Sequence, residues 1–243
     1  MPRFFVKKED INETAVSILG DDAFHIARSL RMAVGDELTV SDGEGGELLC
    51  RLEKIRDDIC ECRIIERRAG AGESPVSVTL FMAYPKGDKL ETVIQKAVEL
   101  GASRIVPFES SRCIKRPKAE KLDKQLARLS RIAEEAAKQC GRSILPRVDA
   151  PLGFKEMLSE AKKSDLALFC YEGEENMSLK EALKTKKPLS VSAVVGSEGG
   201  FSPDEAALAQ AEGLCSVSLG ERILRCETAP AFVLSAIAYE FEL

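Results

Sequence analysis

Histidine is nearly absent from this chain: among 243 residues His25 is the only one. A zinc site needs four Cys or His ligands at characteristic spacing. The eight cysteines stand scattered at 50, 60, 62, 113, 140, 170, 215 and 226. Only Cys60 and Cys62 form a close pair, so no metal is expected, and His25 is read as a packed or hydrogen-bonded residue. Long apolar runs are missing too. None reaches the roughly 18 residues needed to cross a bilayer, so no membrane segment is expected. The N-terminus has no signal-like apolar stretch, which together with the scattered cysteines suggests a reduced, cytoplasmic protein. An overall basic excess is also lacking. The formal net charge is −5, and the average advertises no nucleic-acid partner.

The average conceals a segregation. Residues 112–147 hold eleven Lys or Arg against Glu120, Asp123, Glu134 and Glu135, a local surplus of seven in an acidic chain. That suits an anionic ligand, although a solvated amphipathic helix explains the run equally well. The chain is 44% hydrophobic, enough to bury one large core or two smaller ones.

Residues 1–70 read as a small β-rich unit. Strand candidates lie at 3–6, 37–41, 47–55 and 59–65, with Asp42-Gly43 and Gly45-Gly46 turning between two of them. One helix is expected over 22–32, with Phe24, Ile26, Ala27 and Leu30 on its apolar side. The polar, glycine-rich stretch 67–75 marks a boundary. From 75 to 243 the pattern changes to strand–helix alternation. Strands are expected at 76–84, 104–108, 166–171 and 190–195. Helices are expected around Leu90–Val98, ended by Gly101, over 122–140, and over 203–212. Alternation of this kind implies an α/β domain with a mainly parallel sheet, whose ligands bind beyond the carboxyl ends of the strands.

Two stretches follow such strand ends. Gly196-Ser197-Glu198-Gly199-Gly200 leads into Ser202-Pro203-Asp204-Glu205, a capping box with Pro in the first turn. The loop is neither a Walker loop nor GxGxxG, and alone it reads equally as a plain turn. The second stretch, 219–230, places Arg222, Arg225 and Glu227 ahead of a final helix that Thr228 is expected to cap. That helix is apolar nearly all round, so burial inside the domain or against another subunit is expected.

GSEGGFSPDE followed by LGERILRCETAPAFVLSAI resembles the C-terminal signature of the RsmE family in the SPOUT superfamily. HIARSLRMAVGD, KGDKLETVIQKAVELGASRIVPF, SSRCIKR and EEAAKQCGRSILPRV match in order, so the resemblance runs from 25 to 239. The family usually has Pro where Ser197 stands and Thr where Cys226 stands. The resemblance implies a PUA-like β-barrel followed by a SPOUT trefoil-knot α/β methyltransferase domain, arranged as a homodimer. It implies methylation by S-adenosylmethionine of N3 of a uridine in 16S ribosomal RNA, in a small ribosomal subunit. By the same resemblance the cofactor would meet Phe169, Cys170, Tyr171, Val195, Gly196, Glu198, Gly199, Gly200, Leu219, Gly220, Ile223, Leu224, Arg225 and Thr228. Arg225, with Arg222 second, would stabilise charge building on the uracil oxygens. Arg28, Arg31, Lys86, Lys89, Arg112 and Arg142 are the expected RNA contacts. A SPOUT enzyme acting on another RNA, or a non-catalytic RNA-binding assembly factor, would share much of this pattern.

Overall fold

The computed structural model describes residues 1–70, 72–114, 119–174 and 177–243. Ala71 of the boundary stretch and Lys115, Arg116 and Lys118 of the basic run lie outside the described residues. Two units emerge: Met1–Glu73 with Ala137–Leu145, and Ser74–Ala136 with Pro146–Leu243. The segment Ala137–Leu145 therefore interrupts the continuous 75–243 block expected from the sequence.

Its chemistry explains why it belongs to the first unit. The Arg142 guanidinium donates to Glu73 Oε2 at 2.7 and 3.1 Å, and Glu73 Oε1 accepts the N–H groups of Ser143 and Ile144 at 2.8 Å each. Lys138 pairs with Asp22 at 2.9 Å. A Cβ on Gly70 would lie 2.1 Å from the Ser143 side chain, so only glycine permits that approach.

The first unit is a five-stranded sheet in the order β1-β3-β4-β5-β2. Its strands are β1 (Arg3–Phe5), β2 (Ala15–Leu19), β3 (Glu37–Ser41), β4 (Gly46–Ile55) and β5 (Ile59–Ala69). Four were expected. β2 was not, because its alternation rests on just Val16 and Ile18, both buried. The expected helix over 22–32 is α1 (Gly20–Phe24) continued by a π-helical turn, His25–Ser29. The wider turn closes through Leu30 N–H to His25 O at 2.9 Å. It breaks the 3.6-residue spacing, so Leu30 faces outward while Ile26 is buried; Phe24, two residues before Ile26, is exposed on the opposite side. Arg31 follows in the left-handed region, at φ 51°.

The second unit carries a parallel sheet in the order β12-β10-β11-β6-β7-β8, with β9 also on β7. Its strands are β6 (Ser77–Ala83), β7 (Ala102–Glu109), β8 (Arg147–Val148), β9 (Leu152–Gly153), β10 (Leu166–Cys170), β11 (Ser190–Val195) and β12 (Cys215–Val217). The helices are α2 (Lys89–Glu99), α3 (Leu122–Cys140), α4 (Phe154–Ala161), α5 (Leu179–Lys184), α6 (Pro203–Ala211) and α7 (Thr228–Phe241). Gly101 ends α2 with φ 89°, as its position after the helix requires. Ser202 and Glu205 form the expected capping box on α6. Thr228 does not cap α7. It is already the first helical residue, and the preceding Glu227 makes no side-chain cap. Nor is α7 buried all round within this chain: Val233, Leu234 and Ile237 are buried, while Phe232 and Tyr239 are 42% and 73% exposed.

Four phenylalanine rings pack together in this unit. Phe169 lies 4.2 Å from Phe201 and edge-on to Phe154, and Phe201 stacks on Phe108. Phe169 is fully buried. Phe169→Ala is expected to destabilise the second unit by about 3–5 kcal/mol, read from the urea midpoint of that unit's transition.

Candidate functional site

Strand register brings three loops to one level. Cys170, at the end of β10, lies opposite Val195 on β11 and opposite Val217 on β12. The loops that follow these strands begin side by side, and Tyr171 N–H ties the first to the third by bonding Val217 O at 3.1 Å. Between them lies a cavity of about 370 Å³. Its walls are Cys170, Tyr171 and Glu172 from the first loop, 195–198 with Gly200 and Phe201 from the second, and 218–226 from the third; Lys89 and Ala229 complete it.

Glycine is required in the second loop for a visible reason. Gly200 N–H bonds Ser197 O at 2.9 Å, closing a tight turn. A Cβ on Gly196 would then sit 3.1 Å from the Gly200 backbone. Gly200 itself has φ 60° and Gly220, in the third loop, φ 102°. The wall of this part of the cavity is therefore bare main chain.

One end of the cavity is charged. Lys89 Nζ lies 3.0 Å from Glu198 Oε1 and 3.2 Å from Glu227 Oε2. These two carboxylates hold Lys89 charged beyond the ordinary lysine range. Burial pushes Glu198 up, but its own N–H, Lys89 and the Lys86 N–H outweigh that and leave it below its usual value. The Cys226 thiol donates to Glu227 at 3.2 Å and, with Glu227's own N–H and Lys89, holds that carboxyl down. Burial, then the bond to Glu227, pushes the Cys226 thiol up to about 12. Arg222 and Arg225 are different. Both line the cavity, both are exposed, and neither has an ion-pair partner among the described residues. Glu227, the neighbour on which Arg225 could have been spent, is taken by Lys89.

Most of the residues expected at a cofactor site meet here. Three do not line the cavity. Phe169 points into the aromatic cluster, Thr228 opens α7 on the exposed surface, and Gly199 backs onto Arg112, whose guanidinium donates to Gly199 O at 2.8 Å. Glu172, Ser197, Phe201, Ser218, Glu221, Cys226 and Ala229 also line the cavity and were not named singly as cofactor contacts. Ser197, Glu221, Cys226 and Ala229 lie within the two stretches singled out, and each of the seven adjoins a residue that was named.

The expected RNA contacts scatter. Arg142 is corrected: it is 4% exposed and bound to Glu73, so its charge is spent inside the first unit. Lys89 belongs to the cavity wall. Arg112 holds the glycine loop from behind, although it stays exposed. Arg28 is exposed but paired with Asp57 at 2.6 Å. Arg31 and Lys86 are exposed. Among the described cations of 112–147, Arg128 pairs with Glu91, Lys138 with Asp22 and Arg147 with Asp149. These carboxylates lie outside the stretch and so could not enter that local count.

A cavity at the carboxyl ends of adjacent parallel strands, walled by glycine backbone and a few charged groups, defines an α/β protein that binds a small nucleotide-like ligand. Comparison narrows this. Residues 72–238 match the RNA methyltransferase domain model and residues 18–65 the RNA methyltransferase PUA domain model. The Bacillus subtilis (strain 168) protein named ribosomal RNA small subunit methyltransferase E is 35% identical, covering 100% of this chain and 98% of its own. The crystal structure of a ribosomal RNA small subunit methyltransferase E from Neisseria gonorrhoeae, bound to S-adenosyl methionine, matches with TM-score 0.88 and 30% identity, over 98% of this chain and 97% of that one. The chain belongs to this RNA methyltransferase family, with an N-terminal PUA domain and a C-terminal α/β methyltransferase domain.

The charged end of the cavity carries a pH signature. Depressed carboxyls stabilise the fold above their ordinary value of 4.5 and lose that contribution as pH falls through the folded values. Lys89, raised, contributes below 10.5 and loses its contribution above the folded value. Lys89→Met is therefore expected to be less stable than wild type across neutral pH. The difference should shrink below pH 4.5, as read from urea midpoints over a pH series.

Proposed function

We propose that this protein transfers a methyl group from S-adenosylmethionine to N3 of one uridine in 16S ribosomal RNA, in the cytoplasm, as a knotted homodimer acting on the small ribosomal subunit. The observation that carries the reading is the pairing of a glycine-walled cavity with two arginines at its rim that have no ion-pair partner among the described residues. The cavity suits the cofactor. Its bare backbone and apolar Val195, Phe201, Leu219 and Leu224 fit an adenosine, and its charged end fits an amino acid. When bound, the cofactor supplies an activated methyl on a sulfonium.

The chain's own work is then to hold and to polarise. Val195, Gly196, Gly200 and Leu219–Leu224 would hold the adenosine, and Glu198, itself fixed by Lys89, would steady the polar end. Arg225, with Arg222 beside it, would face the acceptor base. Charge building on uracil oxygens as N3 loses its proton would be met by those guanidiniums, which no carboxylate among the described residues neutralises. Water exclusion and alignment supply the rest. Phe232 and Tyr239 on the open face of α7 support pairing with a second copy. In the first unit Arg31, and in the second Lys86, are the cations best placed for phosphates, with Arg28 and Arg112 reaching RNA only by sharing existing contacts.

The reading is tested by methylating small-subunit particles with labelled S-adenosylmethionine and mapping the modified base. N3-methyluridine at one site in 16S RNA is expected; label on another base or another RNA would reject it. Arg225→Ala should bind cofactor and RNA near normally and turn over about 10²–10³-fold more slowly; full turnover would remove Arg225 from the chemistry. Arg31→Ala and Lys86→Ala should each lower the salt dependence of RNA binding by roughly one phosphate contact, without changing sequence preference.

A further inference from the structure

Among the described residues, two buried side-chain atoms have no hydrogen-bond partner: Ser197 Oγ and Ser216 Oγ. Their settings differ. Ser216 lies in β12, off the cavity lining, whereas Ser197 is on the cavity wall while only 7% exposed. Nothing nearby in the loop is available to its hydroxyl. Ser197 O is taken by the Gly200 N–H. The Glu198 carboxylate is taken by Lys89 and by the Lys86 N–H, which it accepts at 3.1 Å. The neighbouring wall residues Val195, Gly196, Gly200 and Phe201 bring no polar side-chain atom. A buried hydroxyl left unpaired is disfavoured. One that borders a cavity of about 370 Å³ is satisfied when the occupant brings a polar atom.

We infer that the Ser197 hydroxyl is a hydrogen-bonding contact to the S-adenosylmethionine held in this cavity. It is a cofactor-binding residue at the position, between Gly196 and Glu198, where the sequence departs from the proline usual in the family. The inference rests on the function proposed above. Because the hydroxyl is neutral and the wall already formed, the contact acts on bound cofactor and bound product alike. It therefore sets affinity and leaves the chemical step untouched, the behaviour of uniform binding.

Calorimetric titration of S-adenosylmethionine and S-adenosylhomocysteine into the full-length chain tests this, with Ser197→Ala beside wild type and Ser216→Ala as the second orphaned hydroxyl. Ser197→Ala should bind both ligands roughly 3- to 10-fold more weakly. It should raise KM for the cofactor with kcat unchanged, and melt without ligand no lower than wild type. Ser216→Ala should bind as wild type. Unchanged affinity in Ser197→Ala overturns the contact, as does an equal loss in Ser216→Ala or a ligand-free melting point well below wild type. Wild-type protein that takes up neither ligand overturns the proposed function itself, and this contact with it.

Discussion

Parallel pairing of β10 with β11 on one side and β12 on the other underlies everything at the cavity. Successive strands would normally add at one edge. Here the last strand returns to the far side of β10, so that Cys170 stands level with both Val195 and Val217. Three loops then leave the sheet at one height and in one direction, and their backbones can meet around a single small molecule. The aromatic cluster beneath them supports that geometry: Phe201, at the end of the glycine loop, rests on Phe169 at the end of β10. A glycine loop without this platform would be only a turn.

Charge in the second unit is divided between what is used internally and what is left open. Lys89, Glu198 and Glu227 satisfy one another and draw the start of α2, the glycine loop and the third loop together. Arg222 and Arg225, a few residues away in the same third loop, have no such partner among the described residues. A guanidinium at the mouth of a cavity and without a carboxylate keeps its full field for an incoming anion. This partition separates the structural role of Glu227 from the chemical role proposed for its neighbours. It also explains why a count of basic residues was a poor guide: Arg142, inside the most basic stretch, is spent on Glu73.

Much of the architecture was legible because it rests on local periodicity. Leu122–Cys140 and Ser190–Val195 have the ends their patterns implied, and the capping box at Ser202 declares the start of α6. Elements were missed where the pattern is short: β2 and β12 show too few alternations, and α4 and α5 too few turns, to stand out from loops. The π-helical turn at His25 was missed for another reason. Its extra residue per turn shifts Leu30 away from the core, and a 3.6-residue reading cannot register that.

The site divides in the same way. By itself the sequence marked out the candidate loops, because glycines, capping residues and the order of motifs are local properties written in consecutive residues. Tertiary structure alone decided what each polar group is free to do. Whether Arg225 or Arg142 can reach RNA, whether Lys89 is a phosphate contact or a bracket between two carboxylates, and whether the Ser197 hydroxyl is satisfied all depend on atoms far away along the chain. A charge or a hydroxyl is available for function only when the fold has not already paired it, and pairing is a property of space.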